Sequence, residues 1–371
     1  MKKKILFIIW SYSSGGGAEK ILNNLIDELS KDNYEIDVLE YWKANTTTIN
    51  HNITTFNSIV DPKIDKKISR VIKKFLVYFF PVILRKKYMP SKYDAEISFN
   101  YMIPTFLLNK NTPKISWIHG DIYDLQNNKF NKKIQEFYLK RVNNIVAISN
   151  NTYQSIIDVY PKFKEKTIII NNSYNFDEIL TKSKEFKVAK KAKIKRILFL
   201  GRLDNNKNPL FLIDIAKTVS IPNFEIYIIG DGELKTEIKE QIEINNLNEK
   251  VILLNYQKNP YPYIASSDIL ICCSKSEGFP TTIAEGMILG KPFVSMNVGG
   301  VEELSENGNC GLVAKNKYEF IDNLQKLMTN FELYNKMSMN CFEYIKRFSP
   351  EKQCEKVKKL LENMKGNNNN D

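Results

Sequence analysis

The sequence predicts an α/β protein of two domains, and three observations carry that prediction. Short apolar runs alternate with helical segments twice over, from Lys4 to Asn171 and again from Arg196 to Asn297. A polar, lysine-rich stretch over 175–192 separates the two series and reads as a linker. Turns rich in glycine or charge close several of the runs, as expected where parallel strands feed crossover helices. At 371 residues the chain also exceeds the length that one compact core serves well.

The first series, predicted as a domain over 1–174, opens with a strand at Lys4–Trp10. Its basic start imitates a signal peptide. The apolar core is only six residues, however, and Gly15-Gly16-Gly17 stands where a cleavage region belongs, so a strand is the better reading. A helix over about Ala18–Lys31 follows, with Ile21, Leu22, Leu25 and Leu29 as its apolar stripe. Three consecutive glycines let backbone approach an anion at a helix N-terminus, though such a run also serves as a plain tight turn. Glu35–Tyr41, Ala95–Asn100, Lys114–His119, Asn144–Ser149 and Thr167–Asn171 read as further strands. His119 closes one of them, at the sheet edge where ligands bind in open α/β folds, and either a structural or a functional role suits it there.

The net charge of +12 is concentrated. Asp61 to Lys92 contains ten Lys/Arg against two Asp. Ile64, Ile68, Val71, Ile72 and Phe75 fall at helical spacing among these charges, and the run continues through Phe79-Phe80-Pro81 to Leu84. Ten apolar residues interrupted by proline cannot span a bilayer. A basic amphipathic segment can lie on an anionic surface, or it can pack on the sheet with a solvated basic face. DNA binding ranks below both, because no recognition motif accompanies the charge.

The second series, predicted as a domain over 193–348, has strands at Arg196–Leu200, Phe224–Ile229, Val251–Leu254, Ile269–Cys273 and Pro292–Asn297. Arg202 and Lys207 follow the first, Gly230-Asp231-Gly232-Glu233 the second, and Gly299-Gly300-Val301-Glu302-Glu303 the last. After Ile269–Cys273 comes Ser276-Glu277-Gly278-Phe279-Pro280-Thr281-Thr282, then a helix reaching about Leu289 with Glu285 one turn inside it. Unpaired N–H groups at that helix start suit a diphosphate, and a carboxylate one turn further in suits the two hydroxyls of a ribose. A helix over 349–365 is predicted to return to the first domain, leaving 366–371 as a disordered tail.

Five cysteines without a Cys-x-x-Cys pair suit a reduced protein with core thiols. Two histidines, His51 and His119, exclude a histidine-rich metal site, and no Asp-x-Asp offers a paired carboxylate for a divalent ion. No metal and no cofactor is expected. Two fixed cations on one loop could neutralise a departing diphosphate instead.

Taken together, the chain resembles glycosyltransferase family 4, the large retaining family with the GT-B fold. The resemblance rests on Glu277 and Glu285 in their Ser-Glu-Gly-Phe-Pro setting, on Gly201-Arg202-Leu203 with Lys207, on Gly230-Asp231-Gly232, on Gly299 to Glu303, and on Gly16-Gly17-Ala18-Glu19. These occur in order over nearly the whole chain. The resemblance implies an α/β GT-B architecture, two Rossmann-like domains facing across a cleft, with donor held by the second and acceptor by the first. It gives Arg202 and Lys207 the diphosphate, Glu285 the ribose, and Glu277 the donor sugar. It sets His119 near the reaction centre and Gly16 and Gly17 close to phosphate or sugar. Gly230, Glu233 and Asn259 would line the nucleotide pocket, with Gly278, Phe279, Pro280, Thr281 and Thr282 forming the donor-binding turn. Two departures stand out: Lys20 where arginine is common, and Asn208 after Lys207 where glycine is frequent.

The function so implied is retaining, metal-independent transfer of a hexose or N-acetylhexosamine from a nucleotide sugar, with a UDP-sugar favoured. The acceptor would be a glycan, lipid-linked if the basic segment docks on an anionic membrane surface, and the setting the cytoplasmic face of the membrane. No nucleic acid partner is expected. The competing readings are a non-catalytic sugar-nucleotide-binding subunit, a basic nucleic-acid-binding protein, and an epimerase of the same two-domain shape.

Overall fold

The computed structural model describes residues 2–44, 46, 48–100, 102–123 and 129–366. It divides into two compact units, Met1–Ser173 with Pro350–Asp371, and Tyr174–Ser349.

The first unit runs β1 (Lys3–Ile9), α1 (Gly17–Ser30), β2 (Tyr34–Trp42), β3 (Thr55–Val60), α2 (Lys67–Phe79), α3 (Pro81–Tyr88), β4 (Ala95–Ser98), α4 (Ile103–Phe106), β5 (Lys114–Ile118), α5 (Lys129–Leu139), β6 (Asn144–Ala147), α6 (Asn150–Val159) and β7 (Thr167–Ile169). All seven strands are parallel, in the order β3-β2-β1-β4-β5-β6-β7. Continuous apolar runs such as Ile5 to Ile9 form central strands because both faces are covered, and these five residues are each at most 1% exposed. A buried ion pair between Arg85 and Glu96 fixes α3 to β4, with Arg85 also donating to the Met89 carbonyl at 2.7 Å.

The second unit runs α7 (Phe176–Lys182), β8 (Lys195–Leu200), α8 (Phe211–Thr218), β9 (Phe224–Ile229), α9 (Lys235–Ile244), β10 (Val251–Leu254), α10 (Tyr261–Ser266), β11 (Ile269–Cys272), α11 (Thr281–Ile288), β12 (Phe293–Met296), α12 (Val301–Ser305), β13 (Gly311–Ala314), α13 (Lys317–Thr329) and α14 (Phe331–Ile345). Its six parallel strands are ordered β10-β9-β8-β11-β12-β13. The chain then ends on α15 (Pro350–Gly366). This helix packs on α1 in the first unit, where Lys358 pairs with Asp32 and Val357, Leu360 and Leu361 are buried.

Three expectations need correction or completion. The stretch 175–192 is not simply a linker, because α7 forms inside it and packs on α10 and α11. Asn175 caps α7 by accepting from the Glu178 N–H at 3.0 Å, Asp177 and Glu178 suit the helix's positive end, and Ile179 is buried. The strands β3 and β13, absent from the sequence reading, complete an outer edge of each sheet. The expected tail at 366–371 lies, but for Gly366 at the end of α15, outside the described residues.

The basic segment is resolved into α2 and α3. Of the residues of α2 only Val77 is buried. Ile68, Val71, Ile72, Phe75 and Phe79 are all more than half exposed, so the apolar stripe does not pack on the sheet. Among the described residues no helix is long and apolar enough to cross a membrane.

Candidate functional site

In the second unit β8 and β11 are neighbours, and the strand order reverses between them. At such a switch point the loops leaving the two strands diverge and leave a crevice at the carboxyl edge. Those two loops carry three of the predicted charges, Arg202, Lys207 and Glu277, and they are stitched together. Lys275 N–H donates to the Asn206 carbonyl at 2.8 Å, and the Asn206 amide donates to the Ser276 carbonyl at 3.0 Å. Lys207 Nζ pairs with Glu277 Oε1, which also accepts from Ser274 Oγ at 2.6 Å. Glu277 Oε2 has no partner among the described residues. Asp204 holds the cationic loop, accepting from the Lys207 N–H at 2.9 Å and pairing with Arg202 at 3.1 Å. The Arg202 side chain is 73% exposed, whereas that of Lys207 is 25% exposed, so one cation is mobile in solvent and the other is fixed.

Asn208 explains the departure from glycine after Lys207. Its φ is 53°, a left-handed conformation that asparagine tolerates better than most side chains. Gly230 is required by close approach, because a Cβ there would lie 1.9 Å from the Gly201 carbonyl oxygen. The β9 loop thus presses against the start of the Arg202 loop, and Asn205 adds a bond to Glu233 Oε1 at 3.2 Å.

Thr281 begins α11 and Pro280 occupies the cap position, without a side-chain hydrogen bond to the helix's first N–H groups. Thr281 and Thr282 are half-buried there, beside the half-buried Gly278. Phe279 differs from its expected place on the donor-facing surface. It is buried against Phe348 at 5.5 Å between rings and beneath Gly300, so its side chain supports the turn and only its backbone remains for a ligand. Glu285 is 7% exposed and accepts from the Tyr261 hydroxyl at 3.1 Å. Burial and the neighbouring carboxylate push the Tyr261 hydroxyl far above its ordinary range, so Tyr261 remains a donor. The Asn259 amide is occupied elsewhere, donating to the Lys182 carbonyl at 2.9 Å and to Glu185 at 2.8 Å. It anchors α7 rather than pointing into open space.

In the first unit the glycine loop follows β1. Gly15 has φ 71°, Gly16 caps α1, and Gly17 begins it. The fully buried Glu40 fixes this loop, accepting from the Ser13 N–H and hydroxyl at 2.9 Å each and from Ser58 Oγ at 2.6 Å. His119 follows β5, its ring 4.7 Å from that of Phe99 and hydrogen-bonded to the Phe99 backbone. Burial lowers its pKa to about 4, so it is neutral at ordinary pH, and its buried Nε2 has no partner among the described residues. A further recess of about 660 Å³ opens beside the carboxyl ends of β1 and β2, lined by Trp10, Tyr41, Trp42, Arg70, Lys74 and Tyr78 among others. The Trp10 and Tyr41 rings meet there at a tilt, 5.0 Å apart.

Sequence reasoning did not single out Asp204, Ser274, Tyr261 or Glu40. Asp204 and Ser274 each act on a residue three positions on, whereas Tyr261 and Glu40 act through contacts distant in sequence.

Two doubly wound parallel sheets, one with a charged crevice at its switch point, are the GT-B fold. Residues 181–344, within the second unit, match the family model for glycosyl transferases group 1. The chain is 31% identical over 218 residues to an uncharacterized glycosyltransferase of Methanocaldococcus jannaschii, an alignment covering 54% of this chain and about half, 53%, of that relative. It is 27% identical over 326 residues to the Campylobacter jejuni GalNAc-alpha-(1->4)-GalNAc-alpha-(1->3)-diNAcBac-PP-undecaprenol alpha-1,4-N-acetyl-D-galactosaminyltransferase, covering 84% of each chain. Among solved structures, Anabaena HepE in complex with UDP superposes with a TM-score of 0.77 at 18% identity, covering 97% of this chain and 100% of HepE.

Proposed function

We propose that the chain is a retaining, metal-independent hexosyltransferase that moves a hexose or N-acetylhexosamine from a UDP-sugar to a lipid-linked glycan. The observation that carries this reading is the pairing of Lys207 with Glu277 across the switch point, beside the solvent-facing Arg202. A fixed cation, a mobile cation and an oriented carboxylate on two linked loops suit a sugar diphosphate better than a structural salt bridge does. The uncapped start of α11 offers N–H groups to the same anion.

In the proposed reaction the bond from the anomeric carbon to the diphosphate oxygen breaks, and the acceptor oxygen bonds to that carbon on the same face. The acceptor hydroxyl proton passes to the departing diphosphate. Arg202 and Lys207 neutralise the charge that develops there, an effect worth about 10²–10³ in rate for one such group. Glu277 Oε2 accepts from a donor-sugar hydroxyl while Oε1 stays on Lys207 and Ser274. Glu285 accepts from the ribose, and neutral His119 offers Nε2 as an acceptor to the transferred sugar.

The acceptor is assigned to the first unit, where the aromatic and cationic recess beside Trp10 suits sugar faces and an anionic linkage. The exposed stripe of α2 supports peripheral docking of that unit on an anionic bilayer, at its cytoplasmic face. The C. jejuni relative is named for action on an undecaprenol-linked glycan, and HepE was solved with UDP, which agree with these assignments.

Thermal shift with a panel of UDP- and GDP-sugars, followed by turnover, tests the reading. A UDP-sugar should stabilise the chain, and Arg202→Ala and Lys207→Ala should each lower turnover by about 10²–10³. EDTA should leave the rate unchanged. Absence of stabilisation by every nucleotide sugar would overturn the donor assignment, and loss of activity in EDTA restored by magnesium would overturn its metal independence.

A further inference from the structure

A second cavity of the first unit, of about 690 Å³, lies under the junction of α2 and α3. Tyr78, Phe80, Phe106 and Tyr138 form its wall, with Phe106 and Tyr138 rings 4.0 Å apart. Lys110, Lys114 and Arg141 also line it, and among the described residues no carboxylate does. Its size falls within the roughly 300–1,000 Å³ of small-molecule sites.

The three cations are not placed there by packing alone. Lys114 is 7% exposed, and it donates to the carbonyls of Lys110 at 2.7 Å and Thr112 at 3.1 Å. Its third donor has no acceptor among the described residues. Burial lowers its pKa, which the Glu96 carboxylate opposes in part and the Arg141 charge reinforces, so the net shift is downward and an incoming anion would oppose it. Arg141 lies flat over Phe137 at 3.7 Å, which holds the guanidinium at the cavity. Aromatic walls beside three cations call for a ligand having a hydrocarbon portion and an anionic head.

The cavity is also separate from the transfer chemistry. Lys114 starts β5 and Arg141 precedes β6, so these cations mark the amino edge of the sheet, whereas the glycine loop and His119 leave its carboxyl edge. The cavity meets the recess beside Trp10 only at Tyr78, the one residue that lines both. Phe79, Phe80 and Ile83, each at least half exposed, continue the cavity wall into the outward stripe of α2.

We propose that this cavity binds one anionic phospholipid, an acyl chain between Phe80 and Phe106 and the phosphate on Lys110, Lys114 and Arg141. It would hold a single lipid by shape and charge, beyond any general attraction to a charged bilayer, and it requires no sugar donor.

Isothermal titration of the full chain with dihexanoylphosphatidylglycerol, below its micelle concentration and without vesicles or donor, tests this. Wild type should bind one equivalent saturably. The Lys110→Gln/Arg141→Gln pair and Phe80→Ser, all at exposed positions, should each weaken binding at least tenfold while leaving the melting temperature in place. The matching phosphatidylcholine and inorganic phosphate should each bind at least tenfold more weakly. No saturable binding, equal binding by the variants, or equal binding of phosphatidylcholine or phosphate alone would overturn the proposal. Because no bilayer and no nucleotide sugar is present, these results stand apart from success or failure of the docking and transfer readings.

Discussion

Gly230→Ala tests whether the loops of the second unit are built to a tolerance that the donor site depends on. A Cβ at Gly230 would lie 1.9 Å from the Gly201 carbonyl oxygen, where real Cβ contacts are not found below 3.0 Å. The obstacle is backbone, held by Gly201 N–H to the Ile229 carbonyl at 3.1 Å and Leu203 N–H to the Asp231 carbonyl at 2.9 Å. Relief therefore needs a shift of more than 1 Å at the start of the loop bearing Arg202 and Lys207. Overpacking of this kind costs about 1–3 kcal/mol, which for a unit of this size lowers the melting temperature by roughly 2–12 °C. A displacement near 1 Å in a positioning loop costs about 10²-fold in turnover. Calorimetry, UDP titration and UDP-sugar turnover should show all three losses together. Gly120→Ala, where an added Cβ meets nothing within 4 Å, serves as the stability control and should stay within about 0.5 kcal/mol of wild type. If Gly230→Ala melts and binds UDP like the wild type, the loops do not constrain one another.

Further outcomes separate the proposed roles. Glu285→Ala should weaken UDP and UDP-sugar binding alike, whereas Glu277→Ala should spare UDP affinity and lower turnover. Equal losses of UDP affinity would remove that distinction. The wild-type chain should co-sediment with phosphatidylglycerol vesicles at low salt, with each Lys near the surface adding about 1 kcal/mol. Replacing Lys66, Lys67, Lys74 and Lys87 with Gln should release it, while Lys73 is best left alone because it pairs with Asp65 at 2.6 Å. Retention of wild type in the supernatant would end the docking proposal. Buried neutral His119 should make stability pH-dependent. Its folded pKa of about 4 lies below the ordinary 6.5, so its contribution is complete above pH 6.5 and is lost as pH falls towards 4. The loss is at most roughly 3 kcal/mol. Urea midpoints at pH 7 and pH 4.5 should therefore converge less for wild type than for His119→Gln, and parallel midpoints would refute the assignment.

The central strands were legible because burial on both faces forces unbroken apolar runs such as Ile5 to Ile9. The strands β3 and β13 were not, since Thr55-Phe56-Asn57-Ser58 is largely polar and Gly311-Leu312-Val313-Ala314 is short. Helix α7 was hidden by its lysine-rich surroundings, although Asn175 followed by Asp177 and Glu178 is a helix start. In the site, Arg202, Lys207 and Glu277 were visible as charges at strand ends, and Glu285 as a carboxylate one turn into the next helix. What the sequence could not display is which atoms meet: Tyr261 against Glu285, Asn259 turned to α7, and Phe279 serving the core. The basic segment left two packings open, because spacing defines a stripe without saying which side of it is covered. The structure leaves that stripe in solvent.

The second unit is inserted within the first, whose α15 is synthesised last although it packs on α1 near the start of the chain. A ribosome working at about 5–20 residues per second needs roughly 10–35 s to make the intervening unit. Throughout that interval α1 has an uncovered apolar flank and the first unit cannot close. Order of completion is thus inverted relative to order of appearance, with the second unit finished before the first. A chain cut short near residue 349 would strand the nascent first unit in that open form, making it a substrate for chaperones and proteases while its partner unit is already folded.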